Sequence, residues 1–322
     1  MVTTRLDYVF DGLRYEGYVA QPSHVARAVH DQGPLTSHNE LLPIALVVHG
    51  MDGEGEIEQF RADQLAHLGF IAFAVDLFGK DKRPHGDFVK GQEYVTLAYS
   101  DMARLHRQLA AQVEALTATF PIADAANFIV AGYCFGGNIA LEYARGAFPR
   151  LRAAVSFHGT FGSAPASPIV VAPLSAAVQL HHADDDFQDM DLSSYGGAWG
   201  GGDDSGDDAG SWGGGADNSG DAGSWGVRRL LFATWGGGGA MARKGVSVLT
   251  EVENGLRDAG AERWMTIRYG KVGHAWTYPT SDEYKEFEAV NAHAASYALY
   301  RQLGLVTDGL AGTPCAAEGV AC

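Results

Sequence analysis

A cysteine between glycines is the residue of this sequence best suited to nucleophilic chemistry. Cys134 is the central residue of GYCFG (132–136), which follows an apolar segment that predicts a strand and opens a segment that predicts a helix. A strand, a tight turn and a helix form the elbow that exposes a nucleophile in G-x-nucleophile-x-G motifs. Gly132 and Gly136, with Gly137 beside them, are predicted to make room for that strained turn.

The thiol needs help to react at neutral pH, because only the thiolate attacks well and a free thiol is mostly protonated there. The positive end of the helix that begins at Phe135 and a nearby imidazole would both favour the charged sulfur. The alternative is that Cys134 is simply a small buried apolar residue, as most free cysteines are. The elbow context favours the nucleophile.

A histidine must act as the proton shuttle, and several stand at predicted strand ends. These are His49, His158, His181, His182 and His274. Position alone does not choose among them, but the chain order nucleophile, acid, histidine that accompanies such an elbow does. That order selects His274, in the loop after the last predicted strand.

The acid that orients His274 is expected after the strand that follows the nucleophile helix. The segment HHADDD (181–186) supplies Asp184, Asp185 and Asp186 within one turn. Their spacing leaves all three open, and surface acidic clusters are often only solvated. We predict Asp185 as the partner, with Asp184 as the next candidate.

The tetrahedral oxyanion formed by attack on an acyl group needs two fixed hydrogen-bond donors. They are typically the N–H after the nucleophile and an N–H from the loop after an early strand. Phe135 and Met51 occupy those two positions in the sequence.

The elements that must position these residues alternate between strand and helix. Two alternating segments joined by Asp11-Gly12 predict a β-hairpin, and the apolar run at 43–49 predicts a strand covered on both faces. Further strands are predicted at 70–76, 127–132, 153–158, 175–182 and 263–269, and helices near 56–68, 94–118, 135–145, 248–258 and 282–303. This order predicts a mostly parallel central sheet flanked by helices on both faces.

A glycine-, aspartate- and tryptophan-rich segment interrupts the pattern at residues 191–244. AWGGGDDSGDDAG (198–210) is followed directly by SWGGGADNSGDAG (211–223), which is a tandem repeat. Such glycine density opposes ordering, so we predict a low-complexity insertion within a single domain at 1–305, followed by a disordered tail at 306–322. An acidic calcium-binding or aromatic interaction loop is the alternative, although its spacing fits no calcium-loop pattern.

Composition excludes several classes of partner. The net charge of −16 provides no basic field for nucleic acid or an anionic membrane.

We expect a cytoplasmic protein, since no segment has the features of a secretory signal or approaches the ~18 apolar residues of a membrane span. Three cysteines, Cys134, Cys315 and Cys322, are too few and unevenly spaced for a disulfide framework or a paired zinc site. No metal and no cofactor are predicted.

The sequence resembles the dienelactone hydrolase family of α/β-hydrolases in blocks that fall in the family's order. The resemblance covers the chain from about residue 6 to 303 apart from the insertion, through the blocks LRYEGYVAQP, LVVHG, LGFIAFAVDLFGK, GYCFGG, HHADDD and GHAWTYP. Cysteine at the elbow is the specific feature, because most α/β-hydrolases carry serine there. The resemblance implies hydrolysis of a small activated ester or lactone through an acyl-cysteine, with His274 as proton shuttle, Asp185 as its partner and Met51 as an oxyanion donor.

Two positions depart from the family pattern. Gly50 stands where the best-known members place a glutamate that controls the resting cysteine, and Tyr278 replaces the arginine that grips the dienelactone carboxylate. The expected substrate is therefore a small ester or lactone in general rather than dienelactone itself. A thioesterase or acyl transferase using the same three residues is an alternative.

A non-catalytic binding or scaffold protein on the same fold is the alternative from another class, because the insertion separates Asp185 from His274. We expect a monomer or small homo-oligomer.

Overall fold

The computed structural model describes residues 1–23, 41–146, 148–163, 173–186 and 247–306. The predicted insertion at 191–244 and all but the first residue of the predicted tail lie outside the described residues. The strands are β1 (Val2–Phe10), β2 (Leu13–Gln21), β3 (Leu42–Val48), β4 (Ile71–Val75), β5 (Ala123–Tyr133), β6 (Leu151–Phe157), β7 (Ala177–Ala183) and β8 (Trp264–Tyr269). The helices that concern the site are α1 (Glu56–His67), α2 (Phe88–Tyr99), α3 (Met102–Thr119), α4 (Phe135–Arg145), α5 (Val248–Asp258) and α6 (Glu286–Gln302).

These strands form one sheet in the order β1-β2-β4-β3-β5-β6-β7-β8. The first two pairings are antiparallel, and every pairing from β4 to β8 is parallel. The β1–β2 hairpin turns at Asp11 and Gly12, both with positive φ, and places β1 at one edge. The predicted mostly parallel sheet is therefore confirmed.

Helices cover both faces of the sheet, which explains the nearly continuous apolar strands. In β3, Ile44, Leu46 and Val48 face a core shared with α2 to α5, whereas Ala45 and Val47 face a core shared with α1 and α6. All five side chains are fully buried. Burial on both faces leaves the strand no polar positions.

Chain order reverses beside β3, because the next strand along the chain, β4, lies on one side of it and β5 lies on the other. Parallel sheets open a crevice at the carboxyl ends of the strands where the order reverses in this way. The turn after β3 and the elbow after β5 meet at this crevice.

The long helix predicted at 94–118 is wrong, because the structure divides this region into α2 and α3. The break is at Ser100 and Asp101, and the Asp101 carboxylate accepts a hydrogen bond from the backbone N–H of Arg104 at 2.8 Å. This side chain satisfies a donor at the start of α3 that a continuous helix would have paired internally. The apolar period continues across the break, so periodicity alone concealed it.

Candidate active site

The elbow after β5 holds Cys134 in a strained conformation. Its φ of 55° and ψ of −118° lie outside the regions that residues with a Cβ usually occupy. Two backbone hydrogen bonds fix the turn: the Cys134 N–H donates to the Phe157 carbonyl at 3.0 Å, and the Thr160 N–H donates to the Cys134 carbonyl at 3.2 Å. The side chain stays partly exposed. Its thiol is thereby presented at the start of α4.

The predicted elbow glycines allow three chain segments to approach closely. A Cβ on Gly132 would overlap the Gly136 carbonyl, and a Cβ on Gly136 would overlap the Val48 carbonyl at the end of β3. A Cβ on Gly137 would lie 2.6 Å from the Ser156 hydroxyl. These positions exclude a side chain because of neighbouring atoms rather than because of positive φ.

His274 lies between the cysteine and a buried carboxylate. Its Nε2 is 3.2 Å from Cys134 Sγ, and its Nδ1 is 3.0 Å from Asp186 Oδ2. The His274 side chain is 17% exposed, and that of Asp186 is fully buried. The structure thus brings a thiol, an imidazole and a carboxylate into one hydrogen-bonded row.

The prediction that Asp185 is the carboxylate partner of His274 is wrong in this structure. The backbone N–H groups of Asp184 and Asp185 donate to the carbonyls of Tyr269 and Val272, which ties the turn to the chain around β8. In the turn held this way, the Asp184 and Asp185 side chains are exposed, and Asp186 is the buried one. Asp186 was among the three aspartates left open by spacing.

The pKa of His274 reflects opposing influences. Burial disfavours the imidazolium, but the Asp186 and Cys134 charges and their hydrogen bonds outweigh burial and raise the pKa to about 10. His274 is therefore protonated at neutral pH, with the sulfur on one side and the carboxylate on the other. A cation in this position can stabilise a thiolate and later protonate a leaving group.

The two predicted oxyanion donors belong to the segments that flank the cysteine. Phe135 is the first residue of α4, and Met51 lies in the turn after β3. The Nδ1 atom of His49 is 2.6 Å from the Gly50 carbonyl, which anchors the Gly50–Met51 peptide. Because a trans peptide points its N–H opposite to its carbonyl, the Met51 N–H is directed away from His49.

His158 has a larger part in this site than its strand-end position indicated. Its Nδ1 accepts a hydrogen bond from the Cys134 N–H at 3.2 Å, and its Nε2 is 2.7 Å from the Thr277 hydroxyl. Burial, with the charge of His274, lowers the pKa of His158 well below its usual value, so the ring is neutral. It connects the elbow to the loop that carries His274. The backbone of His158 has a positive φ of 41°, although the residue is not glycine. Nothing in the sequence indicated that its ring would connect these two loops.

Two other strand-end histidines, His49 and His181, make hydrogen-bond contacts in the protein interior. The His49 Nε2 accepts a hydrogen bond from the Leu77 N–H at 3.0 Å, and the His181 Nδ1 is 2.8 Å from the Tyr269 hydroxyl. Burial lowers the pKa of both rings, to about 3 for His181. Neither contact involves Cys134.

Comparison with known proteins supports the predicted family. Residues 34–191 match the model of the dienelactone hydrolase family. This match confirms the predicted family resemblance. An uncharacterised protein of Caenorhabditis elegans is 36% identical over 87 residues, which are 26% of this chain and 51% of that protein. The chain therefore spans about half the length of the curated relative that it matches.

Solved structures related to dienelactone hydrolase share the fold. A dienelactone hydrolase-like promiscuous phosphotriesterase from metagenomic libraries is 21% identical, with a TM-score of 0.62 over 94% of this chain and 98% of that chain. A dienelactone hydrolase from Anabaena variabilis is 14% identical, with a TM-score of 0.52 over 93% and 97% of the two chains. At these identities the likeness shows the α/β-hydrolase fold.

No helix within the described ranges is long and apolar enough to cross a membrane. No group of three or more histidine, cysteine, aspartate or glutamate side chains in those ranges is arranged to hold a metal ion.

Proposed function

We propose that this protein hydrolyses small activated esters or lactones through an acyl-cysteine intermediate on Cys134. The observation that carries the proposal is the row in which Cys134 Sγ, the His274 ring and Asp186 Oδ2 are joined at 3.2 Å and 3.0 Å. A nucleophile on an elbow, a proton carrier within reach and a group that orients the carrier are the parts that acyl transfer requires.

In the proposed first step, the Cys134 sulfur attacks the acyl carbon and forms an S–C bond. The electron pair of the carbonyl double bond moves to oxygen, where the N–H groups of Phe135 and Met51 would donate to it. When the carbonyl re-forms, the bond to the leaving alkoxide breaks, and the His274 imidazolium gives that oxygen its proton. The product of this step is a thioester on Cys134.

In the second step, His274, now neutral, takes a proton from water as the water oxygen attacks the thioester carbon. The S–C bond then breaks, the acid product leaves, and the sulfur and His274 return to their starting states. Asp186 stays ionised throughout and holds the Nδ1 proton of His274, so that Nε2 faces the reacting atoms. Every proton is accounted for by water, His274 and the leaving group.

Alkylation tests this proposal. Iodoacetamide at one equivalent should abolish turnover of a short activated ester such as p-nitrophenyl acetate, with the label located on Cys134 by peptide mass analysis. The Cys134→Ser variant should retain at most about 1% of the wild-type rate, because a serine hydroxyl does not form an ion pair with His274. Full turnover after complete labelling of Cys134 would rule the proposal out.

The same test bears on the alternatives. A thioesterase would form the same acyl-cysteine but prefer acyl thioesters, so the substrate panel includes both oxygen esters and thioesters. An acyl transferase would pass the acyl group to an added amine or alcohol faster than to water. A scaffold protein would turn over none of these.

A further inference from the structure

The hydroxyl of Tyr278 is a buried donor beside the nucleophile. Among the described residues it has no hydrogen-bond partner. A Cβ built on Gly50 would lie 2.9 Å from this hydroxyl and 3.5 Å from Cys134 Cβ. The hydroxyl and the Cys134 Cβ therefore flank the same small space, at the turn that also carries Met51.

The Tyr278 ring is held in this direction by its neighbours. It packs edge-on against His158, with 5.1 Å between ring centroids and 85° between ring planes, and lies 6.0 Å from the Tyr133 ring. The Tyr278 backbone N–H donates to the Ala275 carbonyl at 3.0 Å, one residue after His274. The hydroxyl is thus fixed relative to both the elbow and the histidine loop.

The hydroxyl keeps its proton. Burial raises the pKa of Tyr278 well above its ordinary value, and the acidic groups of Glu58, Cys134 and Asp52 raise it further. It can therefore donate a hydrogen bond but cannot serve as a base. A buried donor without an acceptor is unfavourable, and an acceptor that arrives with substrate would relieve this deficit.

We propose that the Tyr278 hydroxyl is a third donor to the oxyanion, beside the N–H groups of Phe135 and Met51. This role rests on the proposed function and refines its first step. As the Cys134 S–C bond forms and the carbonyl electron pair moves to oxygen, Tyr278 donates a hydrogen bond to that oxygen without giving up its proton. Gly50 makes the arrangement possible, because any side chain there would enter the space between the hydroxyl and Cys134.

The test compares two reactions of the same sulfur in the Tyr278→Phe variant. Acylation by p-nitrophenyl acetate passes through an oxyanion, whereas alkylation by iodoacetamide displaces iodide and forms none. We expect the acylation rate to fall about 10- to 100-fold, less than for loss of an essential donor since two backbone donors remain. The alkylation rate should stay within about twofold of wild type, because the contact between Cys134 Sγ and His274 Nε2 is untouched.

Two further variants make the result specific. Tyr18→Phe removes the hydroxyl of a tyrosine on β2, which donates a hydrogen bond to the Asp63 carboxylate at 2.7 Å. This variant should be acylated at the wild-type rate. Gly50→Ala would place a methyl group 2.9 Å from the Tyr278 hydroxyl, and it should reproduce the loss of acylation.

Acylation of Tyr278→Phe at the wild-type rate would overturn the role of Tyr278 alone. An equal fall in acylation and alkylation would overturn it as well, since the hydroxyl would then act on the cysteine itself. Failure of the wild-type protein to form any acyl adduct would instead overturn the proposed function, and the Tyr278 role with it.

Discussion

The carboxylate of Asp186 is 3.0 Å from the Nδ1 of His274 and fully buried, although 88 residues separate the two in the chain. The backbone N–H groups of Asp184 and Asp185 bond to carbonyls at and after the end of β8, and this anchors the turn from which Asp186 reaches inward. A charge buried at this position requires a cationic or hydrogen-bonded partner. His274 provides one.

The neighbouring aspartates provide a matched test of this contact. Asp186→Asn should lower the acylation rate by about 100-fold or more, because the amide cannot stabilise the imidazolium and permits the wrong tautomer. Asp185→Asn makes the same chemical change on an exposed side chain and should stay within about twofold of wild type. Stopped-flow acylation of both variants decides between them. The reverse ranking would restore the assignment made from sequence.

The raised pKa of His274 predicts how acylation depends on pH. In the proposed mechanism His274 must be protonated to serve the leaving group, so the acylation rate should fall as pH rises through about 10. In the Asp186→Asn variant the fall in acylation rate should move to lower pH, since the carboxylate charge that raises the pKa of His274 is gone. A limb that rises with a midpoint near 6.5, typical of a neutral histidine base, would contradict this account.

The same pKa has a consequence for stability. The folded-state pKa of His274 lies above its unfolded value of about 6.5, so the stabilisation from its ion pair with Asp186 is complete below about pH 6.5. It is lost as pH rises through about 10. Urea unfolding of wild type and His274→Gln at pH 6 and pH 10 should therefore show a stability difference that shrinks at the higher pH. A stability difference independent of pH would contradict an ion pair between His274 and Asp186.

Glu58 predicts a second pH dependence of stability. Burial, aided by the charges of Glu54 and Asp52, raises its pKa from 4.5 to about 8. The unfolded chain ionises near pH 4.5 while the folded protein keeps the proton, so stability falls as pH rises from about 4.5 to about 8. Relative to Glu58→Gln, wild type should lose several kcal/mol across this interval, since each pKa unit corresponds to about 1.4 kcal/mol. If the unfolding free energies of wild type and Glu58→Gln changed in parallel with pH, Glu58 would not be a buried neutral acid.

The elbow glycines can be tested against a glycine elsewhere. Gly132→Ala would place a methyl group on the Gly136 carbonyl and should destabilise the protein by about 2 kcal/mol or more. Gly270→Ala adds the same methyl group where a Cβ would meet nothing within 4 Å, and it should change stability by less than about 0.5 kcal/mol. Urea unfolding measures both. Equal effects would show that the elbow is not tightly packed at Gly132.

Sequence predicted those features that local physics determines. The buried apolar strands, the turn at Asp11 and the glycines around Cys134 follow from burial on two faces and from short-range sterics. Chain order was sufficient to choose His274, and the structure brings it to Cys134.

The features that sequence could not give depend on contacts between distant segments. The choice among Asp184, Asp185 and Asp186 depends on how β8 anchors their turn, a tertiary interaction that spacing does not encode. The hydrogen bond from the Cys134 N–H to His158 and the position of the Tyr278 hydroxyl also depend on contacts between distant segments. Three loops meet there, at the carboxyl ends of the strands.

The central claim, that Cys134 carries the acyl group, is tested most directly by intact-mass spectrometry after millisecond quenching with p-nitrophenyl acetate. Wild type should show one acetyl adduct that decays at the turnover rate, with peptide mapping to Cys134, and Cys134→Ala should show none. In Asp186→Asn the adduct should form more slowly. An adduct that survives in Cys134→Ala, or turnover by wild type without any adduct on Cys134, would contradict the account.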